Sequence, residues 1–223
     1  MIYLKRVESF LSNINKQKIL FVWIPKNAGT SVFESLNQSL NMKQFLKVSE
    51  ARNNFYNHGA ATFGHIDIVK LKENGIVSLK YYNTSFKFCF SRNPYDRFLS
   101  LFHYFQIVER IPLNYNYQDL MNTIVKGIDP IGLYNFKGLS QCNKQSDWIK
   151  GIKIDKVYQF EDIGRAFDDL SNITGKNIQL IHKNSSSNSK DRRNELNPET
   201  VKMIQEFYEA DFLQFNYSFN ING

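Results

Sequence analysis

Cysteine is scarce in this 223-residue chain, and its two, Cys89 and Cys142, match no CxxC metal or redox spacing. A small disulfide-stapled scaffold is therefore excluded. Cys89 lies in the apolar run 86–90, where a buried free thiol is the expectation. Five prolines and 11 glycines are too few for a collagenous or low-complexity chain. No stretch reaches the roughly 18 uncharged apolar residues that a membrane span requires. The opening MIYLKRVESFLSNINKQ has no apolar h-region and no small-residue cleavage site, so the expectation is a soluble, cytoplasmic protein. Internal repeats and long Pro/Gly/Ser linkers are also absent. Residues 1–223 are thus expected to form one domain, with an N-terminal extension over 1–17 and a core over about 18–223.

What is present is a foldable, basic composition. Hydrophobic residues make up 42% and aromatics 15%, which excludes a disordered chain and supplies a core without metal or disulfide. Twenty-eight Lys+Arg against 21 Asp+Glu leave a formal charge of +7, which favours an anionic partner. The basic residues are scattered rather than gathered into a tail, so nucleic acid is not the expected partner.

Hydrophobic periodicity predicts alternating strands and helices. Lys18–Ile24 is an apolar run that stops at Pro25, as a strand buried on both faces does. Val32, Phe33, Leu36 and Leu40 then share one helical face. Ser85–Ser91 reads as a second strong strand, and Pro94 opens the helix after it at the favoured first-turn position. Lys156–Phe160 reads as a third strand, with a helix across Asp162–Asn172. Ile178–Ile181 reads as extended, Lys183–Lys190 as a polar loop, and Pro198 as the start of a C-terminal helix. The pattern predicts an α/β fold: a P-loop-like three-layer domain with a central, mainly parallel sheet flanked by helices.

The sharpest local signal is Ile24-Pro25-Lys26-Asn27-Ala28-Gly29-Thr30-Ser31. Ala28 and Gly29 allow close backbone approach, and the helix starting near Thr30 offers unpaired N–H groups to an anion. The hydroxyls of Thr30 and Ser31 add to that cradle, and Lys26 places a positive charge at its mouth. A plain βα corner with a solvated lysine would use the same residues. The segment departs from the nucleotide-triphosphate motif GxxxxGK[ST], because the lysine precedes the glycine. The second strand ends in Ser91-Arg92-Asn93-Pro94-Tyr95-Asp96-Arg97-Phe98-Leu99-Ser100. Arg92 is expected at the strand's C-terminal edge, where open α/β sheets bind ligands, with Ser100 two turns into the next helix and on the same side. Arg97 is expected to pair with a carboxylate at the helix surface.

With IPKNAGTS and SRNPYDRFLSLF both in view, the chain resembles the sulfotransferases. It is most similar to the carbohydrate sulfotransferase branch and its soluble bacterial relatives. Tyr158-Gln159-Phe160-Glu161-Asp162-Ile163, the loop Lys183–Lys190 and Phe207-Tyr208-Glu209-Ala210-Asp211-Phe212 extend the likeness to the C-terminal region. The resemblance implies 3′-phosphoadenosine 5′-phosphosulfate (PAPS) as sulfuryl donor, adenosine 3′,5′-bisphosphate as product and no metal. Carried over, Lys26, Asn27, Ala28, Gly29, Thr30 and Ser31 would hold the 5′-phosphosulfate, and Arg92 with Ser100 the 3′-phosphate. Lys183, Asn184 and Ser185 would close a loop over the donor.

Lys26 is then the group that stabilises charge on the leaving phosphate. His65, after Gly64, is the expected base, matching a histidine that lies between the two motifs in the resembling enzymes. Glu34 is held in reserve as a carboxylate base, while Glu161 is expected to cap the helix that follows it. The expected acceptor is a hydroxyl-bearing saccharide, met by loops at Lys43–Asn57, Glu109–Tyr117 and Asp129–Trp148. Two alternatives stay open from the residues alone. One is a nucleotide or sugar kinase requiring ATP and Mg²⁺; the other is a non-catalytic basic module that binds nucleic acid or acidic glycans.

Overall fold

The computed structural model describes residues 18–55, 59–64, 66–130, 139–181 and 192–223. Among them, five strands form one sheet in the order β2-β3-β1-β4-β5: β1 (Ile19–Phe21), β2 (Lys43–Phe45), β3 (Ala60–Phe63), β4 (Phe86–Ser91) and β5 (Lys156–Gln159). Every pairing is parallel, with Phe21 opposite Phe88 and Ile19 opposite both Ala60 and Phe86. The central strand β1 is buried on both faces, which is why it reads as an unbroken apolar run. Beyond Phe21 the chain stays attached to its neighbour through Val22 N–H, which donates to Phe88 O at 2.8 Å.

Helices cover both faces. On one, α1 (Gly29–Leu40) and α8 (Ile163–Thr174) set Val32, Leu36, Phe167 and Leu170 against Phe21, Phe88, Phe90 and Tyr158. On the other, α3 (Ile68–Glu73) and α4 (Leu79–Thr84) cover Leu20, Ala61 and Phe63, while α7 (Gln145–Ile149) covers Cys89. A separate aromatic core joins α5 (Pro94–Ile107), α6 (Tyr117–Val125), α9 (Pro198–Phe207) and α10 (Glu209–Gln214). The expected three-layer α/β architecture is the one observed. Both cysteines are free and buried, and burial pushes the Cys89 thiol up to about 12. No helix among the described residues is long and apolar enough to cross a membrane.

Several local expectations are corrected. Lys43–Asn57 is not loop throughout: it contains β2 at the sheet edge and α2 (Val48–Asn54). The extended segment Ile178–Ile181 lies outside the five-stranded sheet, and two of its N–H groups go to side chains, Ile178 to Ser171 Oγ and Ile181 to Ser35 Oγ. Arg97 is not at the helix surface but 1% exposed, and the neighbouring Asp96 makes the ion pair instead. Asp96 takes a two-pronged contact from Arg193, at 2.7 Å on each oxygen, inside the protein. Arg193 also donates to the Ile221 and Gly223 carbonyls, tying the end of the chain to α5.

Removing one partner of such a pair leaves a buried charge uncompensated. Asp96→Ala is therefore expected to destabilise the fold by about 3–5 kcal/mol in urea denaturation. A loss below about 1 kcal/mol would show that the pair is not sealed from water.

Candidate active site

The two motifs meet because β1 and β4 are parallel neighbours, so both chains leave the sheet at the same C-terminal edge. After β1 the turn takes an unusual path. Lys26 (φ 69°) and Ala28 (φ 57°) are both left-handed, although neither is glycine. Ala28 is the N-cap of α1, and its left-handed geometry passes directly into the helix. Such alternation aims successive N–H groups into one concavity, a nest for an anion. Each left-handed non-glycine residue costs about 1–2 kcal/mol, so surrounding contacts must hold the turn in place. Gly29 is required for a different reason. A Cβ there would run into the Trp23 indole, which stacks between Phe21 and Phe33.

Buried hydrogen bonds hold the turn down. Asn27, 1% exposed, donates from Nδ2 to Phe90 O at 2.6 Å and to Gln145 Oε1 at 2.7 Å. Gln145 Oε1 also accepts from Arg92 N–H at 2.9 Å, and its Nε2 donates to Arg92 O at 2.9 Å. The Gln145 amide thus bridges the phosphate-type turn and the end of β4. Asp211 on α10 holds Gln145 itself by accepting from the backbone N–H groups of Gln145 and Ser146, at 2.7 and 2.9 Å. Arg97 adds a second brace, with Nε donating to Pro25 O at 3.2 Å and Nη2 to Gln141 O at 2.7 Å.

Three cations therefore converge: Lys26, Arg92 and Arg97. Arg92 Nη1 donates to Lys26 O at 3.3 Å, and its guanidinium lies 4.6 Å over the Phe160 ring. None of the three forms an ion pair among the described residues. Arg92 Nε is buried with no hydrogen-bond partner among them. Burial, reinforced by Arg92 and then Arg97, lowers the Lys26 ammonium to about 8. Asp96 and Glu161 offset part of the charge at Arg92, whereas Lys26 has only cations as charged neighbours, a cost that an anion beside it would relieve.

The family model described as the sulfotransferase family matches residues 13–218. The chain belongs to the sulfotransferase family. Among solved structures it is similar to a sulfotransferase from Alicyclobacillus acidocaldarius, at 15% identity and a TM-score of 0.49, covering 90% of this chain and 94% of that one. No curated protein matches the sequence.

The sulfotransferase brings most of the expected donor residues together. Lys26 is half-buried at the turn, Thr30 is exposed and Ser31 is buried in the first turn of α1. Asn27 turns its side chain inward, onto Phe90 O and Gln145 Oε1. Ser100 lies half-buried on α5, between Arg97 and Tyr104 on the helical stripe that faces the turn. His65, Lys183, Asn184 and Ser185 lie outside the described residues, as does His58. His103 packs edge-on against Phe102 and Tyr117, as a structural histidine does. Glu34 is half-buried on α1.

Glu161 does not cap the following helix. Its Oε1 accepts from Asn93 N–H and its Oε2 from Tyr217 Oη, both at 2.8 Å, so it steadies the start of α5 beside Arg92. The parts that sequence reasoning missed are Arg97, Gln145 and Asp211. Only Arg97, a charged residue in the otherwise largely apolar α5, left a local signal in the sequence.

Gly29→Ala in the sulfotransferase should push Trp23 out of its stack. A loss of about 1–3 kcal/mol in thermal or urea unfolding is expected, as for other overpacked sites. A variant with wild-type stability and an unshifted Trp fluorescence maximum would show that the turn has slack.

Proposed function

We propose that this sulfotransferase moves a sulfuryl group from PAPS to a hydroxyl of a carbohydrate or glycoconjugate acceptor. The carrying observation is the set of three cations, unpaired among the described residues, around a left-handed turn at the sheet's C-terminal edge. The residues suit such a donor. Arg92 Nε is a buried charged donor whose capacity is unused among the described residues, and the turn offers N–H groups at the N-terminus of a helix. PAPS, when bound, supplies the sulfuryl group and a bisphosphate leaving group.

In this reading the backbone N–H groups of Asn27 to Ser31 hold the phosphosulfate, and Arg92 and Ser100 the 3′-phosphate. Lys183, Asn184 and Ser185 contribute from the Lys183–Lys190 segment. Lys26 Nζ keeps its positive charge where negative charge develops on the leaving phosphate. His65, as neutral imidazole, takes the acceptor hydroxyl's proton. The kinase and non-catalytic alternatives give way to the family match.

Adenosine 3′,5′-bisphosphate is expected to stabilise the protein by about 2.7 kcal/mol at a hundred times its Kd, whereas ATP and an oligonucleotide are not. Lys26→Ala and Arg92→Ala should abolish sulfuryl transfer while far-UV circular dichroism stays native. His65→Ala should lower turnover more than donor affinity. Absence of any thermal shift at saturating bisphosphate overturns the donor; full turnover in His65→Ala removes that residue as base.

A pH dependence follows from Lys26. Its ammonium is charged below about pH 8 and neutral above it, and a bound anion favours the charged form. Bisphosphate affinity should therefore fall as pH rises through about 8, with proton uptake on binding near that pH. Calorimetry in buffers of different ionisation enthalpy reads both, and a flat affinity from neutral to strongly alkaline pH would contradict the assignment.

A further inference from the structure

Lys26 Nζ lies 4.0 Å from the centroid of the Tyr104 ring. Its other charged neighbours, Arg92 and Arg97, are cations, and among the described residues no carboxylate pairs with it. The ring is therefore the one favourable electrostatic partner of this ammonium among the described residues. Tyr104 stands on α5 one turn beyond Ser100 and two beyond Arg97, on the stripe that faces the turn. Arg97 pins the Pro25 carbonyl at the base of the turn, and Arg92 pins the Lys26 carbonyl. With the backbone of Lys26 held in a left-handed conformation, the side chain's reach is fixed, and Tyr104 lies within it.

We propose that Tyr104 is a positioning residue that seats the Lys26 ammonium while the donor site is empty and gives it up when an anion binds. This rests on the sulfuryl-donor reading of the turn. An aromatic face suits a resting seat in a way that a carboxylate would not. It attracts the cation without neutralising it, so the site keeps its positive potential toward an incoming phosphate. The contact is also weaker than a charge-assisted hydrogen bond to phosphate, so an arriving anion wins the ammonium. A carboxylate at the same place would repel the donor and compete with it for the lysine.

The test is NMR on the full chain with ¹³C-labelled lysine, Lys26 being assigned by its signal's loss in Lys26→Arg. In the free wild type and in Tyr104→Phe, the methylene next to Nζ should be shifted upfield by the ring. In Tyr104→Leu it should sit at the ordinary lysine position. Adding adenosine 3′,5′-bisphosphate, or inorganic pyrophosphate, should return the wild-type signal to that ordinary position. Tyr104→Phe should keep kcat/KM for the donor within about twofold, and Tyr104→Leu should lose several-fold.

An ordinary Lys26 signal in the free wild type overturns the seat, and that measurement needs no variant to fold. An upfield signal that persists when calorimetry shows the bisphosphate bound overturns the release. If neither anion binds and the signal stays upfield, the donor reading fails and the contact is packing alone. If the anion binds but no upfield shift exists, Tyr104 loses its role and the donor reading stands.

Discussion

Everything at the sheet's C-terminal edge hangs on one side-chain amide. Gln145 accepts from Asn27 and from the backbone of Arg92, donates back to Arg92, and is itself held by Asp211. Buried in the interior, such a network is stronger than its separate pairs, because each bond polarises the next in a low-dielectric medium. It locks together two stretches of chain that leave adjacent strands with no covalent reason to stay close. Without that lock the left-handed residues of the turn would relax, since their backbone geometry is not one they prefer. The fixed distance between Lys26 and Arg92 is thus a property of α7 and α10 as much as of the strands that carry them.

The arrangement divides labour among three cations. Arg97 is fully buried and spends its donors on the Pro25 and Gln141 carbonyls, so it is scaffold with a charge attached. Arg92 has one nitrogen on the Lys26 carbonyl and another buried without a partner among the described residues, which leaves it half committed. Lys26 has only an aromatic face among the described residues and is the most responsive of the three. Rigidity grades into availability over a few ångströms. A site that must be pre-formed and still hand a charge to its ligand needs that gradation.

Much of this was legible in the sequence. Strand β1 announces itself by the unbroken apolar run of a parallel strand buried on both faces, and β4 by Phe86, Phe88, Cys89 and Phe90 despite the buried Lys87. Pro94 marks the start of α5 because its missing N–H is harmless there. The two anion motifs are local, and so was their reading. What stayed hidden was either short or distant. Strand β2 is three residues long with only Phe45 buried, too little for a period to show. Gln145 and Asp211 reach partners 53 to 118 residues away, and no local pattern encodes a partner at that separation. Arg97 read as a surface residue because arginine mostly is one; only the fold shows the carbonyls that permit its burial.

The left-handed Lys26 and Ala28 carry a consequence for anyone seeking a hardier protein. Glycine at either position would relax the backbone, and an apolar residue in place of a crowded cation would lessen the repulsion among its neighbours. A selection scored on heat resistance alone would therefore be drawn to the very positions proposed to cradle the donor. The chain holds, in this turn, a conformation and a charge density that selection for stability would remove.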